Sequence, residues 1–444
     1  MTEASKERKT QEVPCKGIEQ ERKAPRYGAE PEVWTERMLT ALEEGVKGGK
    51  WHSLIDKVIR KETLELGWQK VKRNRGSAGV DGVTVERFER RKEKNLTWLE
   101  EQLKAGTYQP EAVKRVEIPK ERGKTRPLGI PVVRDRVVQN AIRMVIEPIF
   151  EKEFSERSYG FRPGRKAQEA LRRVDELLKQ GYRYIVDADI KEYFNTIPHE
   201  PLMKLVAKHI ADGRVLDLIE EYLNQRIMSG MKVWKPTQGT PQGAIISPLL
   251  ANIYLHPLDK QLEELGYEET RFADDFVIQC RSQQEAEQAL ETVKLWMAAA
   301  GLELHPGKTK IANLTETGSF EFLGYRFERK QGRDFRWPRE KSIAKLRDAV
   351  RSHTPRTSGR SLEQVIGNVN RVVRGWFNYF KHAHRNSFPD QDKWIRQRLR
   401  AILKKRRKRP GCPKGADFQR WPNEFFHTRG LFSMVRARRE LGYA

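Results

Sequence analysis

The stretch RFADDFVIQ, from Arg271 to Gln279, decides the fold. Apolar residues on both sides of Asp274 and Asp275 are typical of a β-strand, in which two adjacent carboxylates repel each other and have nothing to pair with. A bound cation would relieve that repulsion. Alone, such a pair more often forms a polar turn between two strands, because aspartate is a common turn residue, and that alternative stays open.

A second source of carboxylates lies upstream. The segment DADIKEYFNTIPH begins at Asp187, and Asp189 follows in the β-rich run YRYIVDADI of residues 182–190. Three carboxylates from two neighbouring strands can hold two Mg²⁺ ions about 3.5–4 Å apart, as enzymes that transfer phosphoryl groups do. The two segments together therefore indicate a polymerase-type metal site.

The charge of the chain favours a polyanionic partner. Its 444 residues carry a net charge of +25. From Lys341 onward there are 26 Lys and Arg and 7 Asp and Glu, so +19 of that charge lies in the last 104 residues. Cations that meet phosphates release condensed counterions, which favours nucleic acid over a membrane as the partner.

Cysteines and apolar segments indicate the compartment. Cys15, Cys280 and Cys412 form no C-x-x-C pair, which suits neither a disulfide framework nor a zinc knuckle. The N-terminus has no apolar signal region, and the apolar stretch AIISPLLANIYL is too short to span a membrane. We therefore expect a protein of a reducing compartment with no membrane partner.

Hydrophobic patterning predicts an α+β chain of several parts. Helical spacing from Trp34 to about Lys70 precedes two strands within residues 113–130, joined by the basic loop KERGKTR. Strands at 182–190 and 272–280, with helical patterns between them, predict a sheet domain. After Pro338 the spacing is helical, and Ser361 with Gln364 forms a capping-box pattern, so we expect a separate helical unit.

The order of the motifs resembles the reverse transcriptases encoded by group II introns. The resemblance runs from Trp34 to at least Arg409 and is carried by NRGSAGVDG, RPLGIPVVRDRVVQNAI, SYGFRPGRKAQEAL, DADIKEYFNTIPH, GTPQGAIISPLLANIYLHPLD, RFADDF, GLELHPGKTKI and FEFLGYRF. It implies a right-hand polymerase with fingers, a palm built on an antiparallel sheet, and an all-helical thumb, called domain X in maturases.

The resemblance implies five segments. They are a flexible N-terminal extension (1–33), an N-terminal helical extension with the fingers (34–181), a palm with the catalytic motifs and primer grip (182–337), the helical thumb (338–403), and a short basic C-terminal segment (404–444). The last segment has the charge of a reduced DNA-binding domain. It contains no paired cysteines, so we predict no H-N-H endonuclease.

The resemblance also assigns the metal site. Asp189, Asp274 and Asp275 match the metal ligands, and the backbone carbonyl of Ile190 matches a further oxygen ligand. Asp187 lies on the same strand face and ranks behind them. The implied cofactor is a pair of Mg²⁺ ions, with Mn²⁺ as a substitute.

The resemblance implies roles for further residues. Lys120 and Arg126 match the clamp on the triphosphate, Gln242 rests against the incoming nucleotide, and Phe194 matches the ring that excludes a 2′-hydroxyl. Lys308 matches a lysine that reaches the pyrophosphate, and Leu323 with Gly324 matches the primer grip. Plainer alternatives stay open: a core position for Phe194, a solvated amine for Lys308, an ordinary hairpin for Leu323 and Gly324, and surface charge for Arg122 and Lys124.

Two positions depart from the family pattern without removing a metal ligand. Asn195 stands where Asp is frequent, and Phe272 stands where Tyr is usual.

The implied function is RNA-directed DNA synthesis combined with binding of intron RNA, splicing and mobility. Implied partners are group II intron RNA, an RNA template with a DNA primer, target DNA and deoxynucleotides, in a bacterial cytoplasm with nucleoid association on DNA. Three alternatives remain: a splicing cofactor with unused polymerase motifs, a relative recruited to defence, diversity generation or repair, and a scaffold.

Overall fold

The computed structural model describes residues 26–119 and 125–442, and it begins with helices. The predicted roles of Lys120, Arg122 and Lys124 and most of the predicted N-terminal extension lie outside these residues. The first helices are α1 (Glu36–Glu44), α2 (Ile55–Ile59), α3 (Lys61–Asn74), α4 (Val85–Glu89) and α5 (Lys92–Ala105). The helical spacing predicted from Trp34 to Lys70 is confirmed.

The fingers hairpin follows, with β1 (Val113–Pro119) antiparallel to β2 (Thr125–Ile130), as the alternation predicts. Helices α6 (Val133–Glu151) and α7 (Ala167–Lys179) come next. Asp135 on α6 joins this region together, since it accepts hydrogen bonds from the Tyr108 hydroxyl (2.6 Å) and the Gln225 amide (2.7 Å). Asp135 therefore connects α6 to the segment before β1 and to the residues that precede the strand Ile227–Ser229.

The palm alternates strands and helices. Its elements are β3 (Tyr184–Asp189), α8 (Tyr193–Thr196), α9 (His199–His209), α10 (Gly213–Leu223), β4 (Ile227–Ser229), β5 (Lys232–Trp234), α11 (Ser247–Glu264), β6 (Glu268–Phe272), β7 (Asp275–Cys280), α12 (Gln283–Ala299) and β8 (Lys310–Asn313). The palm sheet has the order β6-β7-β3-β8 and is antiparallel throughout. Strands β4 and β5 extend the fingers sheet, in the order β2-β1-β4-β5.

The predicted strand 272–280 is wrong at its start. Phe272 ends β6 and pairs with Asp275, the first residue of β7, so Ala273 and Asp274 form the turn of a hairpin. Ala273 has a φ of +61°, a conformation that residues other than glycine rarely adopt. The turn that the sequence offered as an alternative to a metal site is present; it carries Asp274, and Asp275 follows it directly.

A second sheet joins the palm to the C-terminal helices. It contains β9 (Gly318–Phe322), β10 (Tyr325–Lys330) and β11 (Arg333–Pro338). The helices are α13 (Glu340–His353), α14 (Leu362–Phe380), α15 (Pro389–Arg406), α16 (Gly415–Arg420), α17 (Asn423–His427) and α18 (Met434–Glu440). The capping box predicted at Ser361 and Gln364 is confirmed. In the described part of the chain, no helix is both long enough and apolar enough to cross a bilayer.

The two faces of the palm sheet belong to different cores. Val186 and Phe276 pack with α11 and α12, whereas Ile185 and Val277 belong to a core shared with β9–β11 and the C-terminal helices. Alternation along a strand produces this division, since successive side chains point to opposite faces. The described C-terminal helices therefore share their core with β9–β11 and one face of the palm sheet, whereas the sequence predicted a separate helical unit.

The last residues extend the same helical region. Helix α15 continues through the predicted boundary between residues 403 and 404. Buried Asp392 on α15 accepts hydrogen bonds from the Ser433 hydroxyl (2.7 Å) and the Met434 amide (3.2 Å). Trp421 and Phe426 are buried in the shared core.

The shared core predicts that a cavity in α14 will loosen the neighbouring sheet. Phe377 is 2% exposed and packs edge-on against Phe388 and Phe432. Phe377→Ala is expected to cost about 3–5 kcal/mol and to speed amide hydrogen exchange in β9–β11 as well as in α14. Phe88→Ala in the other core is the matched control and should leave exchange in β9–β11 unchanged. Acceleration confined to the helices would contradict the shared core.

Candidate active site

The palm sheet brings the three predicted metal ligands together. Asp189 ends β3 and lies directly opposite Asp275, the first residue of β7. Directly opposed residues of antiparallel strands have Cβ atoms about 4.5–5.5 Å apart. Asp274 occupies the adjoining turn, and Asp187 lies two residues before Asp189, on the same strand face. Carboxylates that are distant in sequence thus share one end of the sheet.

Burial and the closeness of these aspartates raise the pKa values of their carboxyl groups. Burial first, and then the neighbouring charges of Asp187, Asp274 and Asp189, together raise the pKa of Asp275 to about 7. Burial also raises the pKa of Asp274. It raises the pKa of Asp187 to about 6, against the opposing charge of Lys310. The site therefore favours an added cation.

The donor set fits a hard divalent cation. The acidic side chains at this end of the sheet offer carboxylate oxygens, and Mg²⁺ prefers oxygen ligands. The Lys308 ammonium donates a hydrogen bond of 2.6 Å to Asp189 Oδ2, so a cation already sits on one of the predicted ligands. Within residues 26–119 and 125–442, no three acidic, His or Cys side chains converge closely enough to hold a metal unaided. Further oxygens, such as phosphates, would have to complete the coordination.

The Ile190 carbonyl makes no hydrogen bond to the neighbouring Leu304 segment. Ile190 forms an antiparallel bridge with Leu304 whose hydrogen bonds run through its neighbours: the His305 amide donates to the Asp189 carbonyl (2.7 Å), and the Lys191 amide donates to the Glu303 carbonyl (2.8 Å). In such a non-hydrogen-bonded pair, the peptide groups of the central residue point away from the partner strand.

The predicted nucleotide-binding residues meet beside the carboxylates. Arg126 Nε donates to Gln242 Oε1 over 2.8 Å, and the Arg126 charge opposes the raised pKa of Asp274. Phe194 is 9% exposed, packs edge-on against Phe161, and lines a cavity of about 570 Å³ together with Gln242. Phe194 thus has the burial of a core residue and also faces the cavity.

The TPQG loop lies against the fingers hairpin because Gly243 has no side chain. The Gly129 amide donates to the Gln242 carbonyl over 2.6 Å, and Gly243 has a φ of +110°. A Cβ at Gly243 would lie 2.4 Å from the Gly129 carbonyl oxygen. The glycine therefore permits the contact that brings Gln242 to the cavity.

The predicted primer-grip hairpin reaches the same carboxylates. Leu323 and Gly324, with φ of +46° and +81°, form the two-residue turn between β9 and β10. A hydrogen bond from the Leu323 backbone opposes the raised pKa of Asp275. The Tyr379 hydroxyl on α14 donates to the Leu323 carbonyl over 2.8 Å. One turn thus connects the acidic site to a C-terminal helix.

A buried arginine behind the turn is missing from the sequence predictions. Arg271 is fully buried: its Nε donates to Asp259 Oδ1 (2.6 Å), and its Nη1 donates to Asn252 Oδ1 (3.0 Å) and to the Ala273 carbonyl (2.9 Å). The ion pair with Asp259 on α11 therefore fixes the turn that carries Asp274. In the sequence, a charged Arg271 beside an apolar strand indicates a buried ion pair. The sequence does not show that Asp259 is its partner.

The SYGFRPG segment supports the same turn. The Tyr159 amide donates to the Arg271 carbonyl over 2.9 Å, and Asn252 Nδ2 donates to the Gly160 carbonyl over 2.9 Å. A Cβ at Gly160 would lie 2.2 Å from the Ala273 nitrogen. Close packing of the segment on the turn therefore requires glycine at this position.

An antiparallel palm with carboxylates at one end defines a nucleotidyl-transferring polymerase, and comparisons with known proteins agree. Residues 118–327 match the family model of the reverse transcriptase (RNA-dependent DNA polymerase). Residues 343–421 match the group II intron, maturase-specific domain. The second match spans α13, α14, α15 and α16, and it ends beyond the predicted boundary at residue 403.

Curated relatives agree with these matches. The chain is 34% identical to protein YkfC of Escherichia coli (strain K12) over 296 residues, which are 57% of this chain and 77% of YkfC. It is 37% identical to the group II intron-encoded protein LtrA of Lactococcus lactis subsp. cremoris over 211 residues, 47% of this chain and 35% of LtrA. It is 27% identical to an uncharacterized 91 kDa protein in the cob intron of Schizosaccharomyces pombe, over 74% of this chain and 50% of that protein.

The chain therefore belongs to the group II intron-encoded reverse transcriptases that carry a maturase domain. This confirms the family and the right-hand α+β fold that the motifs predicted. The roles of individual residues remain predictions.

The hydrogen bonds of Arg271 to the Ala273–Asp274 turn and to α11 can be tested by substitution. Arg271→Lys keeps the positive charge but loses the planar fork that bonds Asp259, Asn252 and the turn at once. We expect primer extension to slow by about ten-fold or more, chiefly in kcat, because the Asp274 turn is displaced. Arg281→Lys, in an arginine that follows β7 and stacks on Tyr182, is the matched control. An unchanged kcat in folded Arg271→Lys protein would contradict the role.

Proposed function

We propose that this chain synthesises DNA on an RNA template by two-metal nucleotidyl transfer. The observation that carries the proposal is the direct opposition of Asp189 and Asp275 across the palm, with Asp274 in the adjoining turn. The pKa values of Asp274 and Asp275 are raised, first by burial, so a bound cation would stabilise the ionised carboxylates.

Asp189, Asp274, Asp275 and the Ile190 carbonyl would hold the two Mg²⁺ ions, and Mn²⁺ would be a substitute. When bound, such ions lower the pKa of the attacking primer hydroxyl and neutralise charge on the departing pyrophosphate. The turn of Leu323 and Gly324, which is hydrogen-bonded to Asp275 and to Tyr379, would align the primer end.

The cationic side chains would bind the triphosphate. Arg126, together with Lys120, supplies the charge that phosphoryl oxygens require. Gln242 holds Arg126 in position and faces the same cavity as Phe194. Lys308 now neutralises Asp189; with a metal ion on that carboxylate, its ammonium would be repelled toward the pyrophosphate, which agrees with the role implied by the family.

Binding of RNA would rest on dispersed cations of the C-terminal helices. The maturase-specific match spans residues 343–421, within the region that carries most of the net charge. We propose group II intron RNA as the partner of this region, with splicing assistance as a second function. An RNA template with its DNA primer, the target DNA and deoxynucleotides complete the proposed partners.

Removal of one metal ligand should separate the two functions. Asp274→Ala is expected to abolish primer extension on an RNA template with Mg²⁺ and deoxynucleotides, while intron RNA binding changes by less than about two-fold. Asp348→Ala, at an exposed side chain of α13, is the matched control and should extend like the wild type. Wild-type protein that promotes splicing yet extends no primer would favour the splicing-cofactor alternative. Equal loss of RNA binding and DNA synthesis in Asp274→Ala would contradict the separation of the RNA-binding surface from the metal site.

The cavity position of Phe194 predicts sugar selection. Phe194→Val removes the ring from beneath the incoming sugar and should raise ribonucleotide incorporation relative to deoxynucleotide by roughly ten-fold or more. Single-nucleotide primer extension with dATP and ATP measures this ratio. Phe161→Val, in the neighbouring ring that is 46% exposed, is the control. Unchanged selectivity in Phe194→Val would return Phe194 to a purely structural role.

A further inference from the structure

The β4–β5 hairpin exposes apolar side chains at the edge of the fingers sheet. Met231 is fully exposed, Val233 is 46% exposed, and Trp234 is 37% exposed. β5 is the last strand of the order β2-β1-β4-β5, so this edge is open among the described strands. Exposed apolar residues on an edge strand indicate a binding surface, since they otherwise promote aggregation.

Trp234 and Arg115 form one stacking surface. Ile227 pairs with both Val113 and Trp234, and Arg115 follows Val113 by two residues, so Trp234 and Arg115 lie on the same face of the sheet. The Arg115 guanidinium lies 5.8 Å from the centre of the Trp234 ring. Glu117 Oε1 accepts a hydrogen bond of 3.0 Å from Arg115 Nε and holds the guanidinium in place. Aromatic rings and arginine planes are the groups on which unpaired bases stack.

This surface is continuous with the nucleotide cavity. Trp234 and Arg115 line the same 570 Å³ space as Phe194 and Gln242. Pro127 also lines it and adds apolar surface. A template base that pairs with the incoming nucleotide must lie in this space, so the next unpaired nucleotide of the template comes within reach of the hairpin.

The charges near the hairpin differ between its outer surface and the cavity. Cations outside the cavity suit the phosphate backbone of a nucleic acid, and the cavity suits its bases. Arg226, Lys232 and Lys235 are exposed on and beside the hairpin. The cavity itself carries the carboxylates of Glu117 and Glu192, which would repel phosphates but not the face of a base. The bases, rather than the phosphates, would therefore turn toward Trp234.

We propose that Trp234 and Arg115 bind an unpaired nucleotide of the RNA template ahead of the one being copied, with its base stacked on the indole ring. The inference rests on the proposed polymerase function, since it assigns the occupant of that cavity. It makes the β4–β5 hairpin the entry platform for single-stranded RNA.

Equilibrium binding of primer–template duplexes tests the platform without synthesis. Fluorescence anisotropy would measure Kd for duplexes with RNA template overhangs of one and four nucleotides. In the wild type, the longer overhang should bind about ten-fold more tightly. Trp234→Ala should lose this gain and keep the affinity for the one-nucleotide overhang, and Trp234→Phe should restore most of it. Val233→Ala is the matched control, because Val233 lies on the opposite face of the same strand.

Three outcomes would overturn the platform: a gain that survives Trp234→Ala, an equal loss of affinity for both overhangs, or an equal effect of Val233→Ala. Failure of the proposed function looks different. A wild-type chain that shows the overhang gain but extends no primer would contradict the polymerase and support the platform.

Discussion

The active end of the palm depends on the buried ion pair between Arg271 and Asp259. The turn at Ala273 and Asp274 has a strained backbone and carries a carboxylate beside others of the same charge, so it requires a fixed support. Arg271 supplies that support through the Ala273 carbonyl and through Asn252 and Asp259 on α11. Leaving one member of a buried pair without its partner costs about 3–5 kcal/mol, which makes the turn sensitive to either residue.

Positive charge surrounds the carboxylates from several elements. Arg271 lies behind the turn, Arg126 faces it from the fingers, and Lys308 contacts Asp189 from the segment before β8. The charges of Arg126 and Arg271 oppose the raised pKa of Asp274. The pKa of Asp275 rises to about 7, first because of burial and then because of the neighbouring aspartates. These cations neutralise only part of the acidic cluster, and the negative charge that remains suits the metal ions of the proposed site.

The sequence allowed prediction of the parts of this site that depend on local pattern. Asp189 at the end of an apolar strand, the fingers hairpin and the capping box at Ser361 all follow from short-range rules and agree with the structure. A turn at Asp274 and Asp275 stood only as an alternative, because neither Gly nor Asn marks it, and the positive φ of Ala273 is imposed by tertiary contacts. Arg271 was missed since its partner Asp259 lies on another element.

The shared core was unpredictable for a related reason. Helical periodicity in α14 identifies a buried face but not what covers it. The structure covers that face with β9–β11 and part of the palm sheet, and Tyr379 then bonds the Leu323 turn beside Asp275. A helix of the maturase-specific region is therefore joined directly to the acidic site, which ties the position of the Leu323 turn to the packing of the C-terminal helices.

The central claim is that Asp189, Asp274 and Asp275 jointly hold two metal ions at the end of the palm. Anomalous diffraction from crystals of the protein with primer, RNA template, Mn²⁺ and a non-hydrolysable deoxynucleotide would test it directly. We expect two manganese peaks about 3.5–4 Å apart, bound by these three carboxylates and by the triphosphate. A bound nucleotide with no manganese at these carboxylates, or with metal ions held by other side chains, would contradict it.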